Sequence, residues 1–221
     1  MLVILISPPG GGKGTQAELL AKKLGLIHLE TSKIIEDKFA EADPNDEIIK
    51  KEKEKRLAGE LMEPKIIYNW LMESVGNLAA EGKSLILSGS PRTEFEVEKE
   101  MPEFDKIFGR ENIKIFYVTL SEGESIKRNS FRRMCQANRH PIPNFPEYKD
   151  ITTCPQDGSP LIIRGDDNPE TVKERYSVFL RETTPVLEYF KKYDYPVIEI
   201  NGEQPIEKVF EDILKKINGD Q

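Results

Sequence analysis

Leu2-Val3-Ile4-Leu5-Ile6-Ser7-Pro8-Pro9-Gly10-Gly11-Gly12-Lys13-Gly14-Thr15 constrains the fold of this chain more than any other stretch. Five consecutive apolar residues fit a strand covered on both faces, as in a parallel sheet. A glycine run and Lys13 follow, and then Ala17, Leu20, Ala21 and Leu24 recur at helical spacing. Strand, glycine loop, lysine and helix together describe a phosphate-binding loop. The glycines let successive backbone N–H groups turn toward phosphate oxygens, and the helix N-terminus adds partial positive charge. Lys13 reaches the outer phosphates, and Thr15 offers the hydroxyl expected near a magnesium ion. The stretch departs from G-x-x-x-x-G-K-[ST] in two places: Ser7 stands first, and Gly14 separates the lysine from the threonine.

Further along, Leu26 to Leu29 reads as a short strand, after which Thr31 and Ser32 are expected to cap a helix through Ile34, Ile35 and Phe39. Asp43-Pro44-Asn45-Asp46 starts another helix, and the mixed charges of Lys50 to Arg56 read as its solvated face. Gly59 ends that helix, and Glu63-Pro64 opens the next, where Trp70 is expected in the core. Ser84 to Ser88 is a second apolar strand, running into Gly89-Ser90-Pro91-Arg92-Thr93 and a helix through Phe95, Val97, Met101 and Phe104. Ile113 to Thr119 is a third strand, with a helix from Ser121 to about Arg133 that places Arg128 and Arg132 on one face.

Residues 134 to 163 break this rhythm, holding five prolines and two cysteines with little helical periodicity. A connection that long inside a compact domain is usually a functional lid. Asn168-Pro169 opens a long helix, Pro196 to Ile200 is the last strand, and a helix from about Pro205 to Ile217 closes the chain. Strands alternating with helices predict an α/β fold, a parallel sheet with helices on both faces and ligands at the carboxyl ends of its strands. Lys13 and Arg92 both lie just past such ends.

Composition narrows the partners. The formal charge of −7 argues against nucleic acid, whose binding rests on clustered Lys and Arg. No apolar run approaches the ~20 residues of a membrane span, and no basic leader precedes the first apolar stretch, so no membrane association is expected. Two cysteines make no disulfide framework, which favours a reducing, cytoplasmic setting.

Lys13-Gly14-Thr15, Gly89-x-Pro91-Arg92-Thr93, Arg128-x3-Arg132-Arg133, Arg164-x-Asp166-Asp167 and Arg175 fall in the order and spacing of the adenylate kinase family, which the whole chain resembles. The resemblance implies a single kinase domain over 1–221, with a core of 1–29, 64–133 and 164–221. A segment at 30–63 would bind a nucleoside monophosphate (NMP), and 134–163 would form the lid. It implies reversible phosphoryl transfer from ATP to AMP with magnesium, by a monomer. The implied ATP contacts are Pro9, Gly10, Gly11, Gly12, Lys13, Gly14, Thr15, Arg128, Arg132 and Gly202, with Arg128 stacked on the adenine. The acceptor contacts are Thr31, Gly89, Arg92, Glu96, Arg164 and Arg175. Lys13, Arg92, Arg132, Arg164 and Arg175 would surround the transferred group, with Asp166 and Asp167 orienting the arginines on closure. Other phosphate-loop classes fit worse. No N-K-x-D guanine signature occurs, and the strand ending at Ser88 carries no terminal magnesium-binding acid.

Departures cluster at the acceptor. Glu36 replaces the family's arginine on the AMP phosphate, a repulsive exchange for which Lys33 or Lys38 would have to compensate. Glu96 replaces an adenine-reading glutamine. An ionised glutamate only accepts hydrogen bonds and suits guanine's adjacent donors, so GMP stands as the alternative acceptor; Glu36 and Ser88 motivate a second alternative, a nucleotide-binding module with little turnover. Ser88 replaces an aspartate near the magnesium waters, and Ser90 an aromatic. In the lid, Cys135-x2-Asn138 and Cys154-x2-Asp157 occupy the positions of a structural zinc site. Asn is a poor zinc ligand, and His140 is the substitute two residues on.

Overall fold

The computed structural model describes residues 1–130, 132–138, 140–142, 148–163 and 167–219. Its strands begin with β1 (Leu2–Ile6), β2 (Ile27–Glu30), β3 (Leu85–Ser88) and β4 (Ile113–Thr119). Three short strands follow, β5 (Arg133–Cys135), β6 (Pro141–Ile142) and β7 (Leu161–Ile163), and β8 (Val197–Asn201) is the last. The main sheet is parallel in the order β2-β3-β1-β4-β8, with β1 at its centre. The helices are α1 (Lys13–Leu24), α2 (Thr31–Glu41), α3 (Glu47–Leu57), α4 (Pro64–Ala80) and α5 (Glu94–Phe108). They continue with α6 (Glu122–Asn129), α7 (Pro169–Val178), α8 (Thr184–Lys192) and α9 (Ile206–Asn218), a π-helical turn joining α7 to α8.

Alternation along β1 builds two cores. Leu2, Ile4 and Ile6 face α4, α5 and α8 through Leu71, Val75, Val97, Met101, Phe104, Val186 and Phe190. Val3 and Leu5 face α1 and α9 through Ala17, Leu20, Val209 and Ile213. Every residue of β1 is buried, which is why its sequence is a run and not an alternation. A third, smaller cluster joins α2 to α4 through Ile35, Met62 and Ile67, with Phe39 and Trp70 edge-to-face against it.

Three expectations need correction. The helix after β4 stops at Asn129, so Arg128 is helical but Arg132 is not. Its chain turns at Ser130 and enters β5, which pairs antiparallel with β6 and β7; strand pairing from Arg133 onward competes with another helical turn. The residue before α2 is Glu30, with no side-chain cap bond; Thr31 is already inside the helix, and Ser32 donates from Oγ to Glu30 Oε1. The charged run on α3 is not uniformly solvated. Glu52 is buried, accepting from the backbone N–H of Glu63 at 2.7 Å and from Lys55 at 2.7 Å.

Candidate active site

The carboxyl ends of β1, β2 and β3 open into one cavity. The phosphate-loop residues from Pro9 to Thr15 line it, together with Thr31, Gly89, Arg92, Glu96, Arg128, Arg132, Arg175 and Gly202. The loop's tight turn needs glycine: Gly10 has φ 80°, and a Cβ there would lie 2.4 Å from Asn129 Nδ2. From the first turn of α1, Lys13 reaches back to donate to Ser7 O at 2.5 Å and Pro8 O at 3.1 Å. Burial holds its ammonium well below the usual lysine range, and the charges of Arg92, Arg175 and Arg132 push the same way. A phosphate placed among these four cations would restore the lysine's proton affinity.

Asp167 organises two of the arginines. Its buried carboxylate accepts from Arg132 Nε at 2.9 Å and Nη2 at 3.0 Å, and from Arg175 Nη1 at 3.3 Å. Arg92 is held by its own loop: its backbone N–H donates to Glu96 Oε2 at 2.6 Å, and its carbonyl accepts from Thr183 Oγ1 at 2.8 Å. Gly89, at φ 111°, lets the arginine close in, since a Cβ would lie 2.6 Å from Arg92 Nη2 and 3.3 Å from Thr31 Oγ1. The Thr31 hydroxyl is buried and has no hydrogen-bond partner among the described residues. Arg128 donates to Gly202 O at 2.8 Å and to Glu124 at 2.9 Å, which leaves its planar group beside the β8 end of the cavity. Arg164 and Asp166 lie outside the described residues.

Around Glu96 the acids form a buried group. Ser90 Oγ bridges Glu96 Oε2 at 3.1 Å and Glu100 Oε1 at 2.6 Å. Burial pushes both carboxyl groups up, Glu100 well above the usual range with Glu96's charge adding to it. Glu96 therefore spends Oε2 on the Arg92 loop as well as lining the cavity.

Two acids missed in the sequence, Glu18 and Glu30, also line the cavity. Glu30 is the register partner of Ser88 on the neighbouring strand, so a carboxylate stands one strand over from where β3 lacks one. Burial and the charge of Glu30 push Glu18 up to about 7. Ser88 itself is taken by His28 Nε2 at 2.7 Å. Neither lysine offered against Glu36 reaches the cavity wall: Lys33 is exposed, and Lys38 pairs with Glu73 at 2.9 Å. Glu36 instead accepts from Arg56 Nη2 at 2.6 Å.

In the lid, one ligand atom from each of Cys135, His140, Cys154 and Asp157 lies within 4.8 Å of all the others. His140 Nδ1 is 3.2 Å from Cys154 Sγ and 3.3 Å from Asp157 Oδ2. Asn138 stands behind this set, donating from Nδ2 to Asp157 Oδ2 at 2.8 Å.

The family model described as adenylate kinase matches residues 5–195. The chain belongs to the adenylate kinase family. It is 34% identical over 220 residues to an adenylate kinase of Elusimicrobium minutum, covering 99% of each chain. It is 32% identical over 223 residues to the adenylate kinase of Methanocella arvoryzae, covering 98% of each. The enzyme of Archaeoglobus fulgidus is also 32% identical over 223 residues, covering 98% of this chain and 99% of its own. The parallel sheet and the phosphate loop are the family's α/β core, and the protein is a phosphotransferase.

Proposed function

We propose that this protein transfers the terminal phosphoryl group of ATP to AMP, reversibly, giving two ADP. The observation that carries this is the set of cations, Lys13, Arg92, Arg132 and Arg175, that lines one cavity with the phosphate loop and with the Thr31 hydroxyl, which has no partner among the described residues. An acceptor phosphate oxygen attacks the terminal phosphorus as the bond to the ADP leaving oxygen breaks. No covalent nucleophile is needed; fixed cations replace water around the spreading negative charge. Arginine suits this because its planar fork grips two oxygens and keeps its proton. Loop amides and Lys13 hold the donor, Arg128 and Gly202 flank its base, and Thr31, Gly89 and Arg92 hold the acceptor. Residues 30–63 form the acceptor-binding segment and 134–163 the lid on a core of 1–29, 64–133 and 164–221, with Arg164 and Asp166 serving the transfer. With Glu96 Oε2 anchored to the Arg92 loop, only the other carboxylate oxygen is left to face a base.

Two metals fit the residues present. Glu18 and Glu30 line the cavity together with Thr15, and such oxygen donors suit a divalent cation. These residues would hold magnesium arriving with ATP, which would supply charge neutralisation at the phosphates. In the lid, two thiols, an imidazole and a carboxylate are the donor types of a tetrahedral zinc site, and their separations of up to 4.8 Å would have to tighten to the about 3.3–3.8 Å that bonds of about 2.0–2.3 Å require. The protein works as a cytoplasmic monomer. A coupled assay for ADP across AMP, GMP, CMP and UMP, with ATP and magnesium, is expected to give AMP the highest kcat/KM. Absence of turnover with every monophosphate would refute the assignment.

A further inference from the structure

Position 36 is where the acceptor phosphate should lose its cation, and the structure supplies another. Arg56, in the last turn of α3, lines the cavity, whereas Glu36 on α2 does not. The two are joined by the 2.6 Å bond from Arg56 Nη2 to Glu36 Oε1, with side-chain exposures of 22% and 38%. That bond uses one of five guanidinium N–H donors and fixes the plane of the fork. The end of α3 is also seated against this set of cations. Gly59 N donates to Arg56 O at 3.2 Å, and a Cβ on Gly59 would lie 3.2 Å from Arg175 Cγ. Arg56 therefore lines the same cavity as Thr31, whose buried hydroxyl has no partner among the described residues. Glu60 lines the cavity too, so without Arg56 the acceptor's dianion would meet a carboxylate and no lining cation from this segment.

We infer that Arg56, oriented by Glu36, binds the phosphate of the nucleoside monophosphate in this protein. The cation has moved from one helix to the next, and the acid left at 36 serves as its holder. This rests on the functional assignment above and adds the acceptor contact to it.

Calorimetric titration of wild type and Arg56→Met with AMP, adenosine and ATP tests the inference. Losing a charge-assisted contact is expected to raise the Kd for AMP by about 10- to 100-fold. Adenosine, which carries no phosphate, and ATP should bind as in wild type. Arg56→Lys should recover part of the AMP affinity, because charge returns without the fork. If the methionine variant fails to fold, the lysine variant carries the test, with AMP weakened and adenosine unaffected. An unchanged AMP Kd overturns the inference alone. Equal weakening of AMP and adenosine does the same, by assigning Arg56 to the packing of α3. Wild-type protein that binds ATP but not AMP overturns the functional assignment and the inference with it.

Discussion

Asp167→Asn isolates the electrostatic element that holds the arginines, because it changes charge with almost no change of shape. The wild-type carboxylate is buried and accepts three N–H groups, two from Arg132 and one from Arg175. Asparagine keeps one acceptor and turns an amide NH2 toward donors. Removing one partner of a buried ion pair costs about 3–5 kcal/mol. Arg132 and Arg175 are 23% and 22% exposed, so water recovers part of their solvation and the lower end of that range applies. At about 3 kcal/mol, and about 2–4 °C per kcal/mol for a chain of this size, Tm should fall by about 6–12 °C. The assay is thermal unfolding of nucleotide-free protein by calorimetry at neutral pH. Repeating it in 0.5 M salt should leave the difference largely intact, because a buried pair is poorly screened. Turnover should fall as well, since Arg132 and Arg175 lose their common anchor. A Tm within about 2 °C of wild type would refute the reasoning, showing that the two arginines are positioned without Asp167.

Arg132→Ala, and independently Arg164→Ala, should cut kcat by at least ~100-fold with the fold retained, the scale for losing a transition-state charge partner; near-normal rates in both would end the cation account. Purified protein should carry about one zinc per chain, and chelation should lower Tm; metal analysis well under half an equivalent after zinc-supplemented expression would count against the lid site. Glu18 has its carboxyl raised to about 7 in the folded protein. The unfolded chain therefore releases that proton first, and native stability falls as pH rises through the window from the ordinary carboxylate value to about 7. Glu18→Gln should match wild type in Tm near pH 4.5 and exceed it at pH 8; an equal offset at both would show that titration of Glu18 is not the cause.

Legibility from sequence followed the distance over which the physics acts. The strand of β1, the phosphate loop and the first helix are local: five apolar residues, glycines at fixed offsets and a 3.6-residue period. Those signals were sufficient, and so was Asn168-Pro169 at the start of α7, where the Asn168 side chain accepts from the N–H of Thr171. The end of α6 was misplaced because helical periodicity through Arg132 carries no sign of the antiparallel pairing of Arg133 with Ile142 and Ile163. Glu30 escaped notice because nothing in a sequence says that residue 30 lies in register with residue 88.

Arg56 is the sharpest case of the same limit. In a run of alternating charges a lone arginine reads as solvated, and the bland assignment is usually right. What changes its meaning is a contact 20 residues away, with Glu36, and a place in the lining of the cavity that also holds Arg175, neither of which the local sequence shows. Glu36 alone looks like the loss of a phosphate ligand; Arg56 alone looks like surface. Joined, they describe a cation displaced from one helix to its neighbour, with the vacated position recruited to hold it. An enzyme that selects for charge at a point in space, and not at a position in the chain, permits that exchange whenever two helices flank the same phosphate.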